Sequence, residues 1–385
     1  MTLEGNWNYP TAVRFGAGRA AEIGEAAKQT GLANPLIVTD PGLAELPMIA
    51  AALAQVHGAG LGCGVFSDIK SNPTGANIDK GVAAYRAGGH DGVIAFGGGS
   101  ALDAAKAVAL LAGQNRPLWD FEDVGDNWKR VGAGSIAPVL ALPTTAGTGS
   151  EVGRASVITD EAAEIKRIIF HPDMLPCLVI CDPELTVGLP QALTAATGMD
   201  ALSHAMEALC APGFHPLARG IALEAIRLIR DALPRVIVDG SDLEARSHML
   251  AASLMGATAF QRGLGAMHAL AHPLGALYDA HHGLLNAVLM PYVLEANKPA
   301  IGRALTDLAR LLALDKPGPD SVLAWVRRMR ADIGIPDSLR EIGIDETQAV
   351  RVGQMAAVDP SAATNPIAFD ADDYAVLFKR AVAGG

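Results

Sequence analysis

The stretch VIAFGGGS, residues 93–100, joins an apolar run to three consecutive glycines, and the helical pattern of residues 101–111 follows it directly. Glycines between a strand and a helix let a phosphate approach the backbone and the free N–H groups of the first helical turn. The pair Ser100 and Asp103 also fits an ordinary helix cap, in which the glycines only make the turn. Three glycines exceed what a cap needs, so the stretch predicts a phosphate-binding turn, although the GxGxxG fingerprint is absent. Its residues are Gly97, Gly98, Gly99 and Ser100.

Short apolar runs alternate with helical patterns on both sides of this stretch. Strands separated by helices of this length form parallel βαβ units, so the first half of the chain is predicted to be an α/β domain with a parallel sheet. The predicted strands are residues 35–39, 64–67, 93–96, 138–142, 155–159, 167–170 and 178–181, and the predicted helices are residues 43–56, 77–87 and 101–111.

The pattern changes between Asp182 and Leu189, after which Ala- and Leu-rich segments at helical spacing continue to the end of the chain. A chain of 385 residues exceeds one ordinary core, which favours two domains. We therefore predict an α/β domain over residues 1–184 and an all-helical domain over residues 185–385.

Composition excludes several classes of function. The net charge of -11 argues against a nucleic-acid partner, because phosphate binding favours a basic surface. No apolar run approaches the roughly 20 residues that a membrane helix needs, and residues 1–15 lack the pattern of a signal peptide. The four cysteines form no CxxC pair, which favours reduced packing residues. We expect a soluble, cytoplasmic protein.

Two further segments fit a nucleotide. Asp40 follows the strand of residues 35–39, where an acid can bond a ribose 2'-hydroxyl and repel a 2'-phosphate, favouring NAD over NADP. An aspartate before Pro41 and Gly42 is equally typical of a turn. The segment TTAGTGSE, residues 144–151, offers hydroxyls and flexible amides to a pyrophosphate or a ribose, although Thr and Gly are also ordinary loop residues.

Residues for a divalent transition metal occur in the second half. Asp200 and His204, in TGMDALSHAMEAL of residues 197–209, share one face of a helix because they are four apart. Alone, this pair also fits a solvated stripe with an ordinary acid–imidazole contact. Four of the ten histidines, however, lie within residues 268–282, and a carboxylate with imidazoles suits such an ion. The residues alone do not decide between the adjacent His281 and His282.

Together these segments resemble the iron-containing, or group III, alcohol dehydrogenase family. The resemblance covers about residues 15–297 and is strongest in GGGS of residues 97–100, LPTTAGTGSE of residues 142–151, ATGMDALSH of residues 196–204, and residues 268–283, in the family's order. It implies a dinucleotide-binding α/β domain, an all-helical metal-binding domain, and an active site in the cleft between them.

The resemblance also implies individual roles. His-Gly at positions 282 and 283 selects His282 over His281 as a ligand. His272 is implied as the histidine of proton transfer, although beside Pro273 it also fits a structural role. The implied metal ligands are Asp200, His204, His268 and His282, and the implied coenzyme residues are Asp40, Asn72, Gly98, Ser100, Thr144, Thr145, Thr148 and Lys166.

The implied activity is hydride transfer between a primary alcohol and NAD. The resemblance implies Fe(II), whereas the ligands also suit Zn(II). It implies a small alcohol or aldehyde as the substrate. It also implies that the chain assembles as a homodimer or a larger homo-oligomer. Two other functions are weighed against it. A non-redox enzyme of the related dehydroquinate synthase fold needs a basic phosphate-binding substrate pocket, which we find in no motif. A metal or nucleotide sensor without turnover would not need a proton-transfer residue such as His272 in addition to a complete ligand set.

Arg262 departs from the family pattern, six residues before His268. An arginine near a metal site can pair with a substrate carboxylate, so a hydroxy acid or its semialdehyde, such as 4-hydroxybutyrate and succinic semialdehyde, is the alternative substrate hypothesis. The competing interpretation is that Arg262 faces a coenzyme phosphate, an acidic neighbour or solvent.

Overall fold

The computed structural model describes residues 11–384, which divide into two compact units, residues 11–189 and residues 190–384. The predicted boundary between residues 184 and 185 lies within the short 3-10 helix Pro183–Thr186. The prediction that the chain has no signal peptide concerns residues 1–15, of which residues 1–10 lie outside the described part. No helix of the described chain is both long enough and apolar enough to cross a membrane.

The first unit is built around a parallel sheet, as predicted. Its strands are β1 Ala12–Phe15, β2 Leu36–Thr39, β3 Gly64–Phe66, β4 Val93–Gly97, β5 Val139–Pro143, β6 Ala155–Asp160, β7 Ile165–Phe170 and β8 Leu178–Cys181. Six of them form one sheet in the order β1-β8-β5-β4-β2-β3, with every neighbouring pair parallel. Strands β6 and β7 form a separate antiparallel pair.

Helices connect these strands, and every residue of the central strands β2, β4, β5 and β8 is buried. This burial explains their continuous apolar sequences. The helices of the unit are α1 Ile23–Gln29, α2 Pro41–Ala44, α3 Pro47–Gly58, α4 Gly75–Ala87 and α5 Gly99–Ala112.

The strand order creates a switch point between β2 and β4. The chain leaves β2 toward β3 on one side and leaves β4 toward β5 on the other, while β2 and β4 are neighbours. Connections that diverge in this way open a crevice at the carboxyl ends of the two strands, where ligands of such sheets bind. Asp40 and Gly98 follow these two ends directly.

The sequence prediction of this unit missed two elements, β1 and α1, and was wrong about one helix. The helix predicted for residues 43–56 is two helices, α2 and α3, because Pro47 lacks an N–H and begins a helix rather than continuing one. Strand β1 was not predicted, since a four-residue edge strand containing Arg14 has too little apolar pattern to be recognised.

The second unit confirms the all-helical prediction: every regular element in its described residues is an α-helix or a short 3-10 helix. Helix α6 lies at its centre, with every residue from Thr194 to Leu209 buried and with α7, α8 and α10 packed around it. The helices are α6 Gln191–Cys210, α7 Pro216–Val238, α8 Leu243–Ala259, α9 Ala266–Tyr278, α10 His282–Leu311, α11 Pro319–Asp332, α12 Ala349–Ala357 and α13 Ala371–Ala383.

Candidate functional site

Polar side chains on the buried helix α6 meet the N-terminal parts of α9 and α10. Asp200 and His204 lie one turn apart on α6 and are 2% and 5% exposed. Helix α9 contributes the buried His268, and α10 begins at His282. A Cβ at Gly283 would come within 2.5 Å of the Ala196 carbonyl oxygen, so glycine allows α10 to begin directly against α6. This close packing brings His282 next to Asp200.

These four residues, which we call the ligand set, converge in space. One ligand atom each of Asp200, His204 and His268 lie within 4.8 Å of one another. The fourth residue is close to Asp200, with Nε2 of His282 3.8 Å from Oδ1 of Asp200. Atoms that bind one ion at about 2.0–2.2 Å lie roughly 3–4.4 Å apart. The donor atoms and their spacing therefore fit a divalent transition metal after small side-chain adjustments.

Glu207 holds one of the histidines, and the sequence reasoning missed this role. Its Oε2 lies 2.6 Å from Nδ1 of His268, and its carboxylate also accepts from the backbone N–H groups of Gly265 and Met267. Burial alone would lower the pKa of His268, but the charge and hydrogen bond of Glu207 outweigh it and raise that pKa. A proton on Nδ1 leaves the lone pair of Nε2 available to a metal.

His272 lies against the ligand set and has its own carboxylate partner. Its ring stacks on that of His282 with a centroid distance of 5.5 Å. Its Nδ1 lies 2.8 Å from Oδ2 of Asp359, which caps the 3-10 helix Pro360–Thr364. Burial would raise the pKa of Asp359, yet the interaction with His272 holds it below its ordinary value. The pair leaves Nε2 of His272 as the ring nitrogen available for proton transfer.

The neighbouring histidines 281 and 282 have different positions in the structure. His281 is the N-cap of α10, and its Nδ1 accepts a hydrogen bond from the backbone N–H of Leu284. His282 is the first residue within the helix and lies beside Asp200 and His268. The geometry therefore groups His282, and not His281, with the other three residues.

In the first unit, Asp40 contacts the turn formed by Gly97, Gly98 and Gly99. The backbone N–H of Gly98 donates to Oδ2 of Asp40 at 2.8 Å, and burial raises the pKa of this carboxyl. Gly97 has φ 158°, and a Cβ there would come within 2.4 Å of Asp40. At Gly98 the nearest atom to a Cβ would be 3.4 Å away, on Thr145. Protein packing alone thus does not require glycine at 98.

The segment of residues 144–151, which we call the threonine loop, packs on the glycine turn. The N–H of Thr144 donates to the carbonyl of Gly97 at 2.9 Å, and a Cβ at Gly99 would come within 2.5 Å of Thr148. The buried Lys106, on α5, also stabilises the loop, because its Nζ donates to the carbonyl of Ser150. The two motifs identified in the sequence therefore form one surface next to the N-terminus of α5.

The other predicted coenzyme residues form a second group in the same unit. Nζ of Lys166, on β7, donates to Oδ1 of Asn72 at 2.8 Å. The hydroxyl of Ser100 donates to the carbonyl of Ser71, the residue before Asn72. The helix that begins at the glycine turn is thus joined to the Asn72–Lys166 pair.

Glu151, the last residue of the threonine loop, is buried, and this burial predicts a pH-dependent stability for the unit. Burial raises its pKa from 4.5 to about 7, against the opposing effect of Lys106. Because the folded state holds this proton more tightly, the stabilisation is present below pH 4.5 and is lost as the pH rises to about 7. The loss is on the order of 3 kcal/mol. We expect Glu151→Gln to stabilise the protein more at pH 8 than at pH 5, measured by urea unfolding.

The matched control for this prediction is Glu45→Gln, at an exposed position of the same unit. It should leave the pH dependence of unfolding as in the parent. An equal dependence on pH in the parent and in Glu151→Gln would contradict the role of Glu151.

Arg262 has backbone partners. Its NH1 group donates to the carbonyls of Ala208 and Leu209 at 3.1 and 3.0 Å, and NH2 donates to the carbonyl of Gly213 at 3.3 Å. These carbonyls lie at and just beyond the C-terminal end of α6, where a cation is favourable. Helix carbonyls were not among the partners that the sequence interpretations proposed for Arg262. The carboxylate hypothesis stays a hypothesis, now for a guanidinium that already has three acceptors.

Comparison with known proteins identifies the family. Residues 10–183 match the model of the iron-containing alcohol dehydrogenases, and residues 194–382 match the C-terminal model of the same family. A 4-hydroxybutyrate dehydrogenase of Cupriavidus necator is 39% identical over 97% of this chain and 99% of its own length. The NAD-dependent methanol dehydrogenase of Bacillus methanolicus is 35% identical over 98% and 100%. The crystal structure of a 1,3-propanediol oxidoreductase, 35% identical, superposes with a TM-score of 0.93 over 98% of this chain and 99% of that one. The chain belongs to the iron-containing alcohol dehydrogenase family.

Proposed function

We propose that this alcohol dehydrogenase transfers hydride between a primary alcohol and NAD at a divalent metal held by the ligand set Asp200, His204, His268 and His282. The observation that carries the proposal is the convergence of one carboxylate and three imidazoles, from helices α6, α9 and α10, in a chain of this family. The ion, Fe(II) or alternatively Zn(II), supplies Lewis acidity toward an alcohol or carbonyl oxygen when bound.

The remaining chemistry belongs to residues of the chain. In alcohol oxidation, Nε2 of His272 accepts the hydroxyl proton, while the carbon gives its hydride to NAD and forms the C=O bond. Asp359 keeps the proton of the neutral ring on Nδ1 and stabilises the imidazolium that forms. In aldehyde reduction the same imidazolium returns the proton. His272 is therefore proposed as the proton-transfer residue.

Coenzyme binding is proposed for the glycine turn and the threonine loop. The first-turn N–H groups of α5 have no acceptor within the helix, and they follow the glycine turn at the switch point of the sheet. Asp40 lies beside this turn, where its carboxylate favours a ribose hydroxyl and disfavours a 2'-phosphate. Coenzyme binding by residues 1–184, metal binding by residues 185–385, a homodimer or larger oligomer, and a cytoplasmic location all belong to this proposal.

Metal reconstitution tests the proposed function. Protein purified without chelators would be analysed for metal, stripped, and reloaded anaerobically with Fe(II) or Zn(II). We expect reduced nicotinamide, followed by its absorbance, only when metal, a primary alcohol and coenzyme are all present, with a higher rate for NAD than for NADP. An absence of reduced nicotinamide with every alcohol, diol and hydroxy acid tried would contradict the proposal.

A hydroxy acid is a second candidate substrate, supported by the similarity to 4-hydroxybutyrate dehydrogenase. The partners of Arg262 allow a sharp test of whether that residue recognises a carboxylate. We expect Arg262→Ala to destabilise the protein by about 1–3 kcal/mol, because three carbonyls lose their donor. We also expect equal fractional losses of kcat/KM for 4-hydroxybutyrate and butan-1-ol.

The control for Arg262 is Arg230→Ala, since Arg230 also donates to a backbone carbonyl at the end of a helix, that of Leu312. Unfolding measurements and both kcat/KM values would be determined for the two variants. A loss in Arg262→Ala at least about tenfold larger for 4-hydroxybutyrate would instead support carboxylate binding.

A further inference from the structure

Asn286 contacts three of the four proposed ligands. It lies on α10, four residues after His282, so both side chains extend from the same face of the helix. Its Nδ2 lies 2.8 Å from Oδ1 of Asp200, 3.1 Å from Nε2 of His282 and 3.3 Å from Nε2 of His268. The residue is fully buried. Its Nδ2, which carries two N–H bonds, therefore lies within hydrogen-bond distance of one carboxylate oxygen and two ring nitrogens, and the carboxylate oxygen is the acceptor.

The contacts of Asn286 differ in strength. The bond to Asp200 is the shortest, and its acceptor is a carboxylate, which makes it a charge-assisted bond and the strongest of the three. The other end of the amide, Oδ1, has no hydrogen-bond partner among the described residues. Nothing else in the described chain therefore orients this amide through its oxygen, and the carboxylate of Asp200 decides which end faces the ligand set.

We propose that Asn286 is a positioning residue of the metal site. Its Nδ2 donates to Oδ1 of Asp200 and holds the carboxylate toward the imidazole nitrogens of His268 and His282, whose lone pairs are left for the ion. Being neutral, the amide orients Asp200 without adding charge to one carboxylate and three imidazoles. This inference rests on the proposed function, because it requires the ligand set to bind a metal.

Metal affinity, measured without turnover, tests the inference. Asn286→Leu keeps roughly the size of the side chain and removes the donor. We expect its affinity for Zn(II), measured by competition with a chromogenic chelator, to fall about 10–100-fold. We also expect the visible absorption bands of the Co(II)-loaded variant to shift, because the carboxylate ligand is no longer held in one orientation. A residue that only packs would change neither quantity.

Two further variants complete the experiment. Asn297→Ala is the control, since Asn297 is buried on the same helix and bonds to Asn365 rather than to a ligand. It should keep the affinity and the Co(II) spectrum of the parent. Asn286→Ala removes the amide without adding apolar bulk, and we expect it to weaken metal binding as well. It replaces the leucine variant in the experiment if that variant does not fold. Parent-like affinity and spectrum in the folded Asn286 variants would overturn this inference alone, whereas a parent that binds neither ion would overturn the proposed function with it.

Discussion

Replacing Asp200 with alanine should remove the bound metal and lower kcat/KM for primary-alcohol oxidation by about 10³-fold or more. Asp200 is the only carboxylate of the ligand set, and the other three ligands are imidazoles. Because neutral imidazoles carry no negative charge, only Asp200 offsets the positive charge of the metal ion within this set. Lewis acidity at a substrate oxygen contributes several kcal/mol, and each 1.36 kcal/mol corresponds to about tenfold in rate. Metal content per chain and kcat/KM with a primary alcohol and NAD are the measurements.

The control for Asp200 is Ser203→Ala on the same helix. The hydroxyl of Ser203 is buried but donates only to the backbone carbonyl of Asp200, one turn earlier. This variant should retain metal and most of the activity. An Asp200→Ala protein that still holds one metal ion per chain and keeps more than about a tenth of the parent's kcat/KM would rule out the proposed ligand role.

The parts of the candidate site that follow local periodicity were predictable from the sequence. Asp200 and His204 are four residues apart, so a helix had to place them on one face. The glycine turn likewise had to lie between a strand and a helix, because apolar and helical patterns flank it. Choosing His282 over His281 needed the family register. The structure supplies the physical reason: the first of the two histidines is used as a helix cap.

The carboxylates that hold the histidines, and the amide that contacts Asp200, were missed for a different reason. Glu207 is three residues after His204, in a segment that by sequence alone also fits a solvated stripe, yet every residue of α6 from Thr194 to Leu209 is buried. Only the packing of α7, α8 and α10 reveals that burial. Asp359 is 87 residues from His272, and Asn286 is 86 residues from Asp200. No local pattern connects residues so far apart, since their contacts depend on how the helices pack.

Replacing His272 with alanine should lower kcat by about 10²–10⁴-fold while the metal remains bound. His272 stacks on His282 but is not part of the ligand set, so its loss removes a proton acceptor and no metal ligand. Small bases such as imidazole, added to the assay, should restore part of the rate by taking the proton. Metal content, kcat and its dependence on imidazole concentration are the measurements. Loss of metal from this variant would contradict the separation of His272 from metal binding.

Asp359→Ala tests whether Asp359 acts by orienting His272, the proposed proton acceptor. Removing the 2.8 Å bond to His272 should cost about 10–100-fold in kcat, the value of a charge-assisted hydrogen bond. If Asp359 acts only through His272, the same substitution in the His272→Ala background should have no further effect, because the group it orients is gone. Equal losses in both backgrounds would show that Asp359 acts by another route, such as support of the 3-10 helix that it caps.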